Sequence, residues 1–468
     1  MEISRIAFLL FLMLVGNFVI NVNCDYNFPK RPASPSLQKL IALKASLEQP
    51  PATPSPVVYH VTSYGADPTG KSDSTDAILR AISDALNGPG NGFLMDNIVN
   101  LGGARVDLDG GNYLISRPIQ FPVTGKGNLA IHGGSLKASD TFPNDGYLID
   151  LSTAQNDSSS YNYEFVTLRD LFLDSNFRGG GVHVVNSLRT SIDNCYITHF
   201  TTTGIFVDKG HETYIRSSYL GQHITAGGDP GERNFSGTAI VLNGNDNAVT
   251  DVVIFSAAIG VVISGEANTL SGLHCYNKAT GFGGTGVYLK LPGLTQTRIL
   301  NSYFDYTGIV AEDPVQLTIT NSFFLGDAFV LFKSIKGVVN GVNVVDNMFS
   351  GSNNGVEVVQ LDETNGSFNQ VDQVVIDRNN VRGMKLKATV ARVGVQGNGS
   401  TWTADFNSVL VFPNHIRNVQ YSFVTSDSSF PVHALRGVSG NKVVVQANMA
   451  VNASVYVNVD QGGNFYST

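Results

Sequence analysis

The segment "TSIDNCYITHFTTTGIFV" (190–207) carries a short β-type run, a polar Asp-Asn pair, a second apolar run, a turn, and a small residue opening a third run. The same order returns in "TRILNSYFDYTGIVA" (297–311) and "LTITNSFFLGDAFVLF" (317–332). Looser copies are "VTLRDLFLDSNFRGGGVHVV" (166–185), "AVTDVVIFSAAIGVVI" (248–263) and "TLSGLHCYNKATGFGGTGVYL" (269–289). A repeat of about 22 residues marks a solenoid, in which each unit buries its apolar face only against its neighbours. The runs are of strand length, rich in Val, Ile, Phe and Tyr, and show no helical spacing. They predict an all-β right-handed parallel β-helix over residues 57–400. Ile192, Ile215, Val249, Ile299 and Ile319 should stack in one inward column. Such a scaffold presents a long strand-lined groove, a shape suited to a linear polymer.

Working outward, "VVYHVTSYGADPTGKSDSTDAILRAISDAL" (57–86) reads as a strand, a turn and an amphipathic helix. Asp73 or Ser74 is the expected N-cap, and Ala77, Ile78, Ala81, Ile82 and Ala85 form the apolar face. The helix should close the open end of the first coil, where a β edge is otherwise unpaired. Residues 25–56 form a Pro/Ser-rich linker. Beyond residue 400 the period breaks. "SVLVF", "KVVVQANM" and "SVYVNV" predict a small antiparallel β tail over 401–468.

Residues 1–24 read as a secretory signal: Arg5, the apolar run 6–22, then Val22 and Cys24 at the −3 and −1 positions of a cleavage site. A membrane anchor is the alternative, but Gly16, Asn17 and Asn21 interrupt the short run. Cleavage leaves a mature chain from Asp25 with two of the three cysteines, Cys195 and Cys275. The repeat places them in different columns about three coils apart, roughly 14 Å, too far for a disulfide. Five Asn-X-Ser sequons stand at Asn156, Asn234, Asn365, Asn398 and Asn452, candidates for glycosylation outside the cell. The net charge of −8 argues against a nucleic-acid partner. An acidic polysaccharide is less excluded, since protonating all nine histidines would carry the charge to about +1. A capped solenoid can exist as a monomer. After signal removal no membrane contact is expected.

The entry "YGADPTGKSDSTDAILRAISDAL…GGARVDLDGGNYLISRPI" (64–119) resembles that of pectate-lyase-superfamily β-helix proteins. With the N-terminal signal and the repeats, the chain is similar to the Quartet-type polygalacturonases of plants. That resemblance implies a secreted glycoside hydrolase acting on α-1,4-galacturonan of pectin in the cell wall around developing pollen. The alternatives are a pectate lyase on the same scaffold and a wall protein that binds pectin without cutting it. Ordinary polygalacturonases carry Asn-Thr-Asp, Gly-Asp-Asp, Gly-His-Gly and Arg-Ile-Lys motifs, and none is complete here. "GDAFVLFKS" (326–334) matches the Gly-Asp-Asp segment with Asp327 on the first Asp and Ala328 on the second. In the preceding coil "FDYTGIVAEDP" (304–314) has Thr307 at the family's Asp position and Asp305 two residues earlier.

Glycosidic hydrolysis needs one carboxylic acid and one carboxylate across the scissile bond. Asp305 and Asp327 lie one coil apart and about two residues apart along the strand. That sets their backbones about 8 Å apart, within the ~6.5–9.5 Å window of an inverting enzyme. Asp is equally at home in such turns through bonds to the backbone. The long insertion "GGDPGERNFSG" (227–237) offers Asp229 and Glu232 as an alternative pair, near Asp208, Glu212 and Asp246. Asn234 sits in the same loop, where a glycan would crowd such a pair. For a uronate, Lys290 takes the place of the family's motif Lys, with Tyr288, His274, Lys278 and Arg298 near it in the repeat. No metal-ligand spacing such as His-x-His occurs and no cofactor is called for. A calcium-dependent lyase would draw on Asp208, Asp229, Glu232 and Asp251.

Overall fold

The structure, a computed structural model, describes residues 56–152, 161–223, 236–276 and 284–462. The signal and linker (1–55), Asp229, Glu232, Asn156, Asn234 and Lys278 lie outside the described residues.

A typical coil is built from three short strands separated by turns, and later coils add a fourth, Gly293–Leu294, Pro314–Val315, Val338–Asn340 and Gln370–Asp372. In one coil the three are Ser191–Asp193, Tyr196–Thr198 and Thr203–Asp208. All three stack in parallel on the coils before and after. The first strands align Leu168, Ile192, Ile215, Val249, Leu270, Ile299, Ile319, Val344 and Ile376, all fully buried. The predicted inward column is therefore present. The second strands stack Cys275, Phe304, Phe324 and Phe349. Ring centroids there are 5.1 and 4.4 Å apart. The third strands stack Ile205, Ile240, Val261, Val287, Ile309 and Val330.

Two features of the repeat follow from this cross-section. The polar residue between first and second strands turns the chain in the left-handed region: Asn194, Asp251, Asn301, Asn321 and Asp346 all have φ between 51 and 57°. Asn and Asp tolerate that region better than other side chains. The small residue opening the third strand lies against the second strand's inward side chain. A β-carbon at Gly286 would come within 2.9 Å of both Phe304 Cδ1 and Thr307 Oγ1.

The N-terminal helix spans Thr75–Leu86 and buries Ala77, Ile78, Ala81, Ile82 and Ala85, as predicted, together with Leu86. It packs on the first strands of the solenoid, where each fully buried Ile contributes about 1.5–3 kcal/mol. Ser74 occupies the N-cap without a side-chain cap bond. Asp73 accepts from the Thr75 N–H at 3.0 Å instead.

The C-terminal part needs two corrections. Antiparallel pairing starts at Val390, where Val390–Asp405 joins Lys442–Asp460, so the expected boundary at 400 falls inside a strand. "KVVVQANM" and "SVYVNV" are both parts of Lys442–Asp460, which also pairs Asn418–Thr425 and His433–Ser439. "SVLVF" is no strand. Leu410, Val411 and Phe412 are buried in a turn, with Leu410 in the tail's core and Val411 and Phe412 in that of the solenoid. Gln461 and Asn441 side chains donate to the Phe412 carbonyl, and Leu410 makes one isolated parallel bridge to Ala388, so the run caps the last coils mainly by burial.

Candidate active site

Asp305 closes the second strand Tyr303–Asp305 and lies opposite Leu325 of the next coil. Asp327 follows Leu325 by two residues, the offset expected from the repeat. Both aspartates stand on the edge where second strands turn into third strands. The path between coils is not straight, because Gly326 and Asp327 both have φ of 64°. That backbone aims the Asp327 side chain toward the following coil. One carboxylate oxygen accepts from the Ser352 N–H at 2.9 Å and the other from the Ser352 hydroxyl. A β-carbon on neighbouring Gly351 would collide with this carboxylate. Asp305 is only 4% exposed. Thr307 and Ala328, at the places of the missing family aspartates, are buried.

The expected uronate-binding residues divide between faces. Tyr288 ends its side chain on the third-strand face, donating to Glu312 Oε1 at 2.6 Å. Burial and this bond push the Tyr288 phenol up to about 12. Lys290 follows Leu289, which pairs Ala311, so it extends a row through Glu312, Lys333 and Asp362. Lys333 Nζ lies 3.9 Å from Glu312 Oε1. His274 stands on the second-strand face, its ring 4.9 Å from Tyr276 and 4.4 Å from Tyr303. Tyr276 is opposite Asp305, so His274 belongs to the flank of the same edge. Arg298 does not. It opens a first strand, between Thr269 and Thr318, on a different face. Residues adjacent in the repeat are separated by the turn at Asn301.

Glu312, Lys333 and Ser352 were not singled out from sequence. Lys333 lies within the "GDAFVLFKS" match and Glu312 within "FDYTGIVAEDP", so a row reading across coils was available for both. Ser352 follows Ser350, the partner of Leu325, by two residues, so the same row reading reached it too.

Two of the other described acidic candidates are otherwise engaged. Glu212 pairs with Arg189 Nε at 2.9 Å. Asp246 lies 3.4 Å from His211. Asp251 sits in the turn after a first strand and Asp208 at the end of a third strand, so these two described carboxylates of the calcium set stand at different corners of the coil. Among the described residues, His60, Asp107 and Asp109 form a close group of metal-ligand type. There Asp109 already accepts from Thr62 and contacts the His60 ring. Cys195 and Cys275 are buried free thiols; burial pushes Cys195 up to about 12 and Cys275 upward as well.

Residues 58–283 match the family described as rhamnogalacturonase A/epimerase, pectate lyase-like. Polygalacturonase QRT3 of Arabidopsis thaliana is 60% identical over 476 aligned positions, covering 98% of each chain. Among solved structures, ORF18 of Geobacillus virus E2 superposes with a TM-score of 0.56 at 12% identity, over 92% of this chain and 82% of that one. Endo-xylogalacturonan hydrolase of Aspergillus tubingensis overlays more loosely, at 11% identity and a TM-score of 0.42 over 70% of this chain and 92% of that one. The viral structure, at 12% identity, speaks for the fold alone, whereas the plant relative matches in sequence through solenoid and tail. By that full-length identity the chain belongs to the Quartet-type polygalacturonase family.

Proposed function

We propose that the protein hydrolyses α-1,4-linked galacturonan of pectin by inversion, with Asp305 and Asp327 as the acid/base pair. The observation that carries the activity is the 60% identity to a polygalacturonase over 98% of the chain. The pair is supported by its place on one edge of two adjacent coils. One carboxyl protonates the leaving glycosidic oxygen and the other draws a proton from the attacking water. Ser352 holds the Asp327 carboxylate in one orientation, as an acid/base group requires. Lys290, on the adjoining third-strand face, supplies a cation for a substrate carboxylate, with Tyr288 fixed beside it through Glu312.

Purified protein on demethylated pectin decides the reaction. Hydrolysis yields reducing ends without ultraviolet-absorbing unsaturation; elimination yields both and stops with chelator; a binder yields neither. The binding reading is favoured by one observation, the buried Ala328 and Thr307 at the places of the family's missing aspartates. The inserted-loop pair, Asp229 and Glu232, remains the competing site. Loss of activity in Glu232→Gln with full activity in Asp327→Asn would move the chemistry there.

We further propose secretion with cleavage before Asp25, checked by N-terminal sequencing of secreted protein, and action as a monomer in the wall, checked by light scattering. Asn365, Asn398 and Asn452 are exposed sequons. Asn398 and Asn452 are directly opposed across two strands, so glycans on both would compete for one space. Glycopeptide mass spectrometry should find these two sites alternately occupied.

A further inference from the structure

The face built by the first strands carries a cationic cavity far from the proposed acid/base pair. Its volume is about 240 Å³, and Arg105, Asn128, His132, Phe165, Thr167 and Arg169 are in its wall. Successive coils bring the cations together. Arg105 lies opposite Ala130 and then Thr167, while His132 lies opposite Arg169 in the neighbouring row. Seven ladder steps separate the row of Arg105 from that of Arg298, which shares a coil with Asp305. At ~4.8 Å per step that is about 34 Å along the axis.

Acidic neighbours neutralise the cavity only in part. Asp170 takes Arg169 Nε at 3.1 Å. Asp193, opposite Arg169, bonds Arg216. Asp107, opposite His132, accepts the Asp109 N–H. Arg105 and His132 have no ion-pair partner among the described residues. A partnerless guanidinium in a chain of net charge −8 is a local reversal of sign. Phe165 has φ of 56°, rare for a bulky side chain, and stands 50% exposed at the rim.

We propose that this cavity is a second, non-catalytic binding site for the carboxylate of a uronate unit, anchoring the protein on its acidic polysaccharide. The inference rests on the proposed galacturonan substrate. Arg105 and Arg169 grip the carboxylate. Asn128 and Thr167 meet the sugar hydroxyls, and Phe165 covers an apolar patch of the ring.

The test uses the full chain in affinity electrophoresis through gels holding polygalacturonate or a neutral glucomannan. Its parallel arm measures turnover of short soluble oligogalacturonides. The variant is Arg105→Gln/Arg169→Gln, both exposed positions, with circular dichroism to verify folding. Retention on polygalacturonate should fall at least about tenfold, as expected for loss of a charge-assisted contact, and fall with added salt. Turnover of short oligomers should be unchanged, and the glucomannan gel should retain neither protein. Equal retention of parent and variant overturns the site. Loss of short-oligomer turnover also overturns it, by tying these residues to the reaction. Displacement by millimolar sulfate without any variant effect on polygalacturonate identifies a free-anion site and likewise overturns it. Retention that depends on the two arginines in a protein that cleaves no pectin would reject the proposed reaction and leave the anchor standing.

Discussion

At the scale of single residues, Asp327 is held at both carboxylate oxygens by Ser352. Asp327→Asn keeps the shape and removes the titratable proton, so turnover should drop by at least about 100-fold with folding intact. Ser352→Ala should lower kcat by roughly tenfold with KM little changed, because it acts through the orientation of Asp327 rather than on substrate. Steady-state kinetics on galacturonan read both; an unchanged kcat for Ser352→Ala would remove that positioning role. That Asp305 and Asp327 share one edge of adjacent coils was legible in the sequence through the repeat. The bond to Ser352 was not: its place in the row follows from the repeat, but the left-handed backbone at Gly326 and Asp327 that turns the carboxylate toward it does not. Arg298 shows the opposite failure. Closeness in the repeat suggested closeness in space, yet one left-handed turn at Asn301 puts it on another face.

At the scale of elements, the periodic part of the fold was readable because each coil must bury the same columns. The inward positions could be named before the structure, down to Ile192 and Ile319. The tail was misread for a reason of the same kind. "SVLVF" has the composition of a strand, but what decides its state is the pair of cores it plugs, and no local pattern reports that. The small residue at the third-strand start is now explained by packing. Gly286→Val should destabilise by about 1–3 kcal/mol or more through overpacking against Phe304. Asp313 is a second structural point. It is fully buried and accepts backbone N–H bonds from Ile335, Lys336, Gly337 and Val338. Asp313→Ala leaves those donors without their acceptor and should cost about 2–4 kcal/mol. Urea denaturation of both variants checks these values, and a wild-type midpoint in either would contradict the packing described.

At the scale of the whole molecule, the acid limb of stability follows from carboxylates held by histidine. Burial tends to raise Asp150 and Asp174, but bonds from His183 and Ser152 to the first, and from His199 and Asn176 to the second, outweigh it and hold both below the usual range. A depressed carboxylate stabilises the fold fully above its unfolded value, near 3.9, and loses that contribution as pH falls through the folded value. Stability should therefore stay level with respect to these groups down to about pH 4 and decline below it. Denaturation midpoints across that range test this. Removing both pairs with Asp150→Asn and Asp174→Asn should flatten the decline.

The stacked coils also make the molecule a one-dimensional lattice. A residue such as Ile299 meets partners only one coil before and one coil after, at Leu270 and Ile319. Order can therefore spread along the axis by short steps, although the strands are parallel and such pairing is ordinarily slow. An interior coil is held by two neighbours, whereas a terminal coil has one neighbour and a plug, the helix Thr75–Leu86 at the start and the Phe412 turn at the end. Pulled from its two ends, the protein should yield as a series of small force peaks, one per coil, beginning at whichever plug gives way first.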